Sequence, residues 1–210
     1  MKKKTIALVL ACILCVGAGI GGTLAWLTAT SGEVTNTFTA AKLGQVSISE
    51  TDTDHDYLLT PGVDITKDPK LSFTRTDDKG VAAFVFVKVT AANWTPDSTH
   101  MVFTISDDNG NKQLEWEIAS DWTYLTTDNG SYVYYREVAE NAEIENASIM
   151  KENKITVSGD YITTANIDAL AGKMRITFTP YAIQKQQSST ADFTAAEAWG
   201  NISNPTGATT

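Results

Sequence analysis

The chain has 210 residues, with 16 lysines and arginines against 25 aspartates and glutamates, which gives a formal net charge of −9 at pH 7. This acidic balance argues against nucleic-acid binding, because phosphate neutralisation requires clustered lysine and arginine. The length is sufficient for one domain that buries roughly 70% of its unfolded surface, so disulfides are not needed to supplement a small core.

The N-terminus has the pattern of an export signal. Three lysines at positions 2 to 4 precede a run from Ile6 to Leu27 that has no charged residue, as in the basic and apolar regions of a signal peptide. Thr23 and Ala25 are small residues at the two positions that a signal peptidase reads. We therefore predict cleavage between Ala25 and Trp26.

Two other interpretations of this segment stay open. About 20 apolar residues span a bilayer, so a retained membrane anchor is one alternative, although four glycines between positions 17 and 22 loosen such a helix. Acylation of Cys12 is the other, because Val9-Leu10-Ala11-Cys12 is similar to a lipoprotein box. Cleavage after Ala25 would remove three lysines and no acid, leaving 185 residues with 13 basic and 25 acidic side chains, no cysteine and a net charge of −12.

After residue 33, alternation of apolar and polar residues with a period of two predicts half-buried β-strands. The strands predicted in this way cover residues 34–40, 46–49, 71–74 and 173–179, the last with Met174, Ile176 and Phe178 inward. Residues 81–89 are almost continuously apolar, which is typical of a central strand covered on both faces for part of its length.

Two Asn-Gly pairs, Asn109-Gly110 and Asn129-Gly130, predict hairpins because both residue types tolerate the positive φ of tight turns. We expect the two hairpins to form one meander. The strands that they join are residues 101–106 with 113–118 and residues 122–125 with 132–136.

Two short helices are predicted near the C-terminus, at residues 164–170 and 194–202. Thr194 and Glu197 have the spacing of a capping box, and Phe193 is placed for a hydrophobic staple with Ala198.

Many short strands at this spacing favour a sandwich over an α/β fold. The sequence therefore predicts an all-β, jelly-roll-like antiparallel β-sandwich with one or two short helices, preceded by a cleaved signal helix. The predicted segments are a signal peptide at residues 1–25, a mature N-terminal extension at 26–33, a single sandwich domain at 34–203 and a flexible tail at 204–210.

The sequence contains no pattern typical of an active site. A zinc peptidase would carry His-Glu-x-x-His, but the two histidines, His55 and His100, are isolated, and exposed loop positions are their simpler interpretation. The mature chain also lacks a cysteine nucleophile and a Gly-x-Ser-x-Gly turn. We therefore predict no catalytic residue, no cofactor and no metal ligand.

Two other groups of side chains are candidate binding residues. Asp52, Asp54 and Asp56 alternate like the start of a calcium loop, but Tyr57 replaces the turn glycine and Val63 the final glutamate. Calcium binding there stays open beside the interpretation as an acidic solvated linker. Exposed aromatic residues would suit a sugar-binding face, although core packing is the plainer interpretation. These aromatic residues are Trp94, Trp116, Trp122, Tyr132, Tyr134 and Tyr135.

The stretch "GGTLAWLTATSGEVTNTFTA" at residues 21–40, followed by "LGQVSISE" at 43–50, resembles the start of a known family. The family is the TasA/camelysin group, exported proteins of Gram-positive bacteria that the dedicated signal peptidase SipW processes. The matching features are the glycine pair, the aromatic residue beside the cut, the Thr-Asn-Thr-Phe strand and the strand that follows. A looser likeness extends to "DDKGVAAFVFVKV" and to "ITFTPYAIQ" with the closing helix.

This resemblance implies a jelly-roll sandwich secreted to the cell surface or the extracellular matrix. In TasA-like proteins the N-terminal segment freed by cleavage can insert as a strand into the next subunit, which makes fibres. The corresponding donor segment here is Trp26, Leu27, Thr28, Ala29 and Thr30, which is shorter and less regular than an ideal donor.

The expected function is that of a secreted structural protein without enzymatic activity, a biofilm-matrix or fibre subunit. Its expected partners are the signal peptidase during export and then further copies of the chain or other matrix proteins. The membrane is contacted only through the uncleaved signal. A camelysin-like surface metallopeptidase and a carbohydrate-binding surface module are the alternative functions.

Overall fold

A computed structural model describes residues 43–52, 57–75, 80–163, 165–171, 174–188 and 190–203. The chain divides into two compact units, residues 1–40 and 41–210, and every described residue belongs to the second unit. The predicted signal helix, cleavage site, donor segment, strand at 34–40 and tail at 204–210 therefore lie outside the described residues.

The described residues form an all-β fold in which strands dominate and the helices are short. The strands are β1 (Gln45–Ser49), β2 (Ile65–Thr66), β3 (Lys70–Thr74), β4 (Ala83–Ala92), β5 (Thr95–Pro96), β6 (Val102–Ser106), β7 (Lys112–Glu117), β8 (Thr123–Asp128), β9 (Ser131–Val138), β10 (Ile144–Ser148), β11 (Lys154–Val157), β12 (Arg175–Gln184), β13 (Gln186–Ser188) and β14 (Ala191–Asp192). The helices are α1 (Ile167–Ala171) and α2 (Ala195–Ser203), and a 3-10 turn covers Lys151–Asn153.

The strands assemble into antiparallel sheets that enclose a shared core. One sheet has the order β1-β3-β10, a second β2-β11-β7-β6-β5 and a third β12-β4-β9-β8, while β13 and β14 form a small hairpin. Phe73 of the first sheet, Trp116 of the second and Val87 of the third all belong to the main hydrophobic core. The prediction of an antiparallel β-sandwich with two short helices is confirmed.

Strand β4 is the central strand that its apolar sequence predicts. It lies between β12 and β9 in the third sheet. Val85 and Val87 belong to the main core, whereas Phe84 and Phe86 belong to a second cluster with Ala198 and Trp199 of α2. Because side chains alternate across a strand, β4 is covered on both faces.

Both Asn-Gly hairpins form, but in different sheets. β6 pairs with β7 in the second sheet and β8 pairs with β9 in the third. The prediction of one meander is therefore wrong. At the β8–β9 turn Asn129 has a φ of 50° and Gly130 a φ of 74°, the two positive values that a two-residue hairpin turn needs to match the strand twist.

The capping box of α2 is confirmed. The Thr194 backbone N–H donates to the Glu197 carboxylate at 2.8 Å, and the Glu197 N–H donates to the Thr194 hydroxyl at 3.3 Å. Phe193 packs in the same cluster as Ala198, as the staple requires. Helix α1 begins at Ile167 rather than at residue 164, with the Asn166 side chain accepting from the Thr163 N–H just before it.

Candidate functional site

The structure describes only some of the candidate site residues that the sequence suggested. Ala25, Trp26 and the donor segment to Thr30 lie outside the described residues, and so do His55, Asp54 and Asp56. Asp52 is described and exposed. Nothing in the described residues therefore tests the cleavage site, the donor segment or the calcium loop.

His100 packs among tyrosines in a turn before β6. It has a left-handed φ of 59°, and its ring stacks on Tyr124 with 4.3 Å between centroids. Its carbonyl accepts a hydrogen bond from the hydroxyl of Tyr134, and burial raises the pKa of that hydroxyl above its ordinary value. In the described part of the chain, no group of three or more His, Cys, Asp or Glu side chains is arranged to hold a metal ion.

The tryptophans singled out in the sequence are core residues. Trp94, Trp116 and Trp122 are 5%, 1% and 2% exposed, and Trp116 stacks on Phe103 with 4.4 Å between ring centroids. The packing interpretation is confirmed for these three residues. They do not form the exposed aromatic face on which the sugar-binding alternative depended.

A cleft of about 750 Å³ opens on the described surface. Residues of β1, β2, β11 and the first half of β12 line it. Both β1 and β12 are edge strands, each paired with one strand among the described residues. The apolar part of the wall consists chiefly of Ile48, Ile65, Ile155, Ile176 and Phe178.

A buried polar network forms one part of the cleft wall. The Lys67 ammonium lies 3.1 and 2.9 Å from the two carboxylate oxygens of Glu50, and the Tyr57 hydroxyl donates to Glu50 at 3.0 Å. Lys67 is only 7% exposed, and its ammonium lies over the rings of Tyr57 and Phe178. Burial, and then the hydrogen bond to Glu50, raises the pKa of the Tyr57 hydroxyl. The charges in this part of the cleft are therefore matched within the protein.

Arg175 and Trp94 are two further residues of the cleft wall. Arg175 is exposed and has no ion pair within the described residues. The indole N–H of Trp94 is buried without an acceptor in that same part of the chain. Arg175 lies opposite Ala92 in the β4–β12 ladder, and Trp94 follows Ala92 by two residues. Ile176 and Phe178 pack against the main core that contains Trp94. Because side chains alternate across a strand, the Arg175 side chain lies on the other face of β12.

The Lys67–Glu50–Tyr57 network was not predicted from the sequence. The available signal was the alternation Ile65-Thr66-Lys67, which puts Lys67 on the same face of the chain as the buried Ile65. Lysine is rarely fully buried unless it is paired, and its partner is 17 residues away in the sequence. Nothing local in the sequence identifies that partner.

A neighbouring polar cluster stabilises the chain at the end of β1. The Asp68 carboxylate accepts from the Thr51 backbone N–H at 2.9 Å and from the Thr51 hydroxyl at 2.6 Å. The Lys70 ammonium lies 3.0 Å from the same carboxylate. The bonds from Thr51, with Lys70, hold the pKa of Asp68 at about 2.

The fold and the cleft define an antiparallel β-sandwich with an apolar groove between two edge strands. No protein-family model matches the chain, and no curated protein and no solved structure matches it. Neither of the two described helices has the length and apolar character that a membrane crossing requires.

Proposed function

We propose that the protein is a secreted structural component of the cell surface or extracellular matrix, without enzymatic activity, whose subunits assemble by adding a strand from one copy to the sheet of the next. The observation that carries this proposal is the edge of the third sheet. Strand β12 pairs with β4 over all ten of its residues and with no second strand among the described residues. Such an edge exposes N–H and C=O groups that can template another strand.

The composition of β12 fits an edge position. Pro180 lies in the middle of the strand, and proline is confined to edge strands, strand starts or bulges because it lacks an N–H. Most of the strand is half-buried rather than exposed. An added strand would therefore gain apolar contact as well as main-chain hydrogen bonds.

The N-terminal sequence supplies the donor in this proposal. The predicted cut between Ala25 and Trp26 would free Trp26 to Thr30, which the family resemblance identifies as the donor segment. Addition of this segment to the next copy is head to tail, so the assembly is open-ended and grows as a fibre. Cleavage by the signal peptidase is then the step that permits assembly.

The decisive experiment compares assembly of the chain beginning at Trp26 with that of two shortened forms. Negative-stain microscopy and light scattering should show fibres from this chain and none after removal of residues 26–32. Removal of residues 204–210 deletes the same number of residues from the other terminus and should leave fibres intact. A chain beginning at Trp26 that stays monomeric at all concentrations would overturn the proposal.

Proline substitution separates strand addition from a nonspecific apolar contact. Thr28→Pro and Ala29→Pro each remove one N–H from the donor segment, and successive residues of a strand direct their hydrogen bonds to opposite sides. At least one of the two should abolish assembly, whereas Thr28→Val and Ala29→Val should preserve it. Equal assembly of all four variants would contradict strand addition.

A further inference from the structure

We propose that Pro180 fixes the position of the added strand on β12, so that the donor segment lies along Arg175–Thr179 with Thr28 opposite Thr177. This inference rests on the strand addition proposed above and adds the register in which the two strands pair. The two proposals are separable, because a strand can add to the same edge in a different register.

Pro180 shows which main-chain groups of β12 face the free edge. The β4–β12 ladder runs without a register shift, and Pro180 lies opposite Val87 in it. In an antiparallel ladder a residue directs its N–H and its C=O to the same side, and the next residue directs them to the other side. A proline that faced β4 would remove a hydrogen bond from the ladder, because it has no N–H. Pro180 therefore faces the free edge, and so do the other even-numbered residues of β12.

A main-chain hydrogen bond at the end of β12 gives the same assignment. The Lys185 N–H donates to the Ala82 carbonyl at 2.7 Å, so the odd-numbered residues of this segment direct their hydrogen bonds to β4. The N–H groups that remain for an added strand are those of Ile176, Phe178, Ala182 and Gln184. Position 180, between the two pairs, offers no N–H.

Pro180 therefore divides the free edge into two short pairing sites. A strand that crossed it would place one of its carbonyl groups opposite the proline ring, and a buried polar group without a partner is unfavourable. The added strand therefore pairs either with Arg175–Thr179 or with Tyr181–Gln184. The first site has five residues, the same number as the donor segment from Trp26 to Thr30.

The space beside the edge favours the first site. The cleft of about 750 Å³ is lined by the β12 residues from Arg175 to Phe178 and by none of those from Tyr181 to Gln184. Ile176 and Phe178 are half-buried and pack against the main core. An added strand along this half of β12 therefore has room for side chains on the core side of the sheet.

The donor sequence has the alternation that this site requires. With Thr28 opposite Thr177, Leu27 and Ala29 lie opposite the two inward apolar residues, whether the strands run parallel or antiparallel. Opposite residues of paired strands lie on the same face, so these two side chains enter the apolar cleft. A shift by two residues would keep the alternation but would carry the donor across Pro180. Alternation alone therefore does not choose the register, and Pro180 does.

Disulfide trapping between separately purified chains tests the register. The chain beginning at Trp26 has no cysteine, so the mixed disulfide reports which introduced thiols meet. Thr28→Cys in one copy should cross-link to Thr177→Cys in another, because directly opposite β-carbons lie roughly 4.5–5.5 Å apart. It should cross-link at least about tenfold less to Thr179→Cys, because the diagonal separation of about 7–8 Å is too long for a disulfide.

Thr123→Cys measures the background, since Thr123 is exposed on β8 at the other edge of the same sheet. Cross-linking at residue 179 in preference to residue 177 would overturn the proposed register but leave strand addition at β12 intact. Cross-linking at neither residue above the background would overturn strand addition at β12, and the register with it.

Pro180→Ala tests the cause of the register. The alanine restores the missing N–H, so a donor shifted by two residues no longer leaves a carbonyl unpaired. The ratio of cross-links at residue 177 to those at residue 179 should therefore fall by about tenfold. Pro61→Ala, in an exposed turn outside β12, is the matched control and should leave the ratio unchanged. A ratio as high in Pro180→Ala as in Pro61→Ala would show that Pro180 does not set the register.

Discussion

Lys67 and Glu50 form an ion pair inside the sandwich, with 2.9 Å between the ammonium and the nearer carboxylate oxygen. The two side chains are only 9% and 11% exposed. Both are part of the cleft wall, so the pair stabilises the cleft only while both charges are present. Loss of either charge would leave the other buried without a counter-charge, which is strongly destabilising.

Glu50→Ala is expected to lower the free energy of unfolding by about 3–5 kcal/mol, because it leaves the Lys67 ammonium buried without a counter-charge. The double variant Glu50→Leu with Lys67→Met should recover most of that loss, because two apolar side chains replace the pair. Urea unfolding followed by tryptophan fluorescence measures all three free energies.

The exposed pair between Glu115 and Lys112 is the control for this experiment, since the lysine is 63% exposed. Glu115→Ala should have a small effect because solvent screens such pairs. A loss for Glu50→Ala no larger than that for Glu115→Ala would contradict the buried-pair interpretation.

Gly130 and Gly200 form a matched pair for testing backbone strain. A β-carbon at either position would meet no atom within 4 Å, but only Gly130 has a left-handed φ, of 74°. Gly130→Ala should therefore destabilise the protein by about 1–2 kcal/mol. Gly200→Ala lies in α2 and should stabilise it by about 0.5–1 kcal/mol. Thermal unfolding should show a lower unfolding temperature for Gly130→Ala and a higher one for Gly200→Ala. A change of the same sign in both variants would contradict the inferred backbone strain at Gly130.

Asp68 makes the stability depend on pH in acid. Hydrogen bonds from Thr51, together with Lys70, lower its pKa from 3.8 to about 2, so the folded state favours the charged carboxylate. The resulting stabilisation is complete above the ordinary carboxyl pKa of 3.8 and is lost as the pH falls through about 2. Asp68→Asn should therefore be less stable than the wild type at neutral pH, and the difference should shrink between pH 3.8 and about 2.

Thermal unfolding between pH 2 and pH 7 measures this difference. Thr51→Val removes the hydroxyl donor to Asp68, so it should raise the pH at which the stabilisation disappears. A difference between wild type and Asp68→Asn that stays constant across the acid range would show that Asp68 does not titrate as inferred.

Local features of the fold followed from neighbouring residues in the sequence. The Asn129-Gly130 turn and the Thr194–Glu197 capping box formed as predicted, because each depends on hydrogen bonds and φ values within a few residues. Strand β4 was also predicted, since a continuous apolar run is typical of a strand covered on both faces.

The assignment of hairpins to sheets could not be predicted in the same way. β6–β7 and β8–β9 follow each other in the chain but lie in different sheets. Alternation shows that one face of a strand is buried, but it does not show which sheet buries it. The sequence favoured a single meander because consecutive strands usually pair. In the structure the two hairpins instead belong to different sheets that pack around a shared core.

The sequence by itself determined the β-strand pattern, the hairpin turns and the cap of α2, because these depend on short-range sterics and hydrogen bonds. Only the tertiary structure decided that Trp94 and Trp116 are buried, that Lys67 meets Glu50, and that β1 and β12 line one cleft. Each of these relationships joins residues that are distant in the chain. They follow from how sheets pack, which local sequence pattern does not specify.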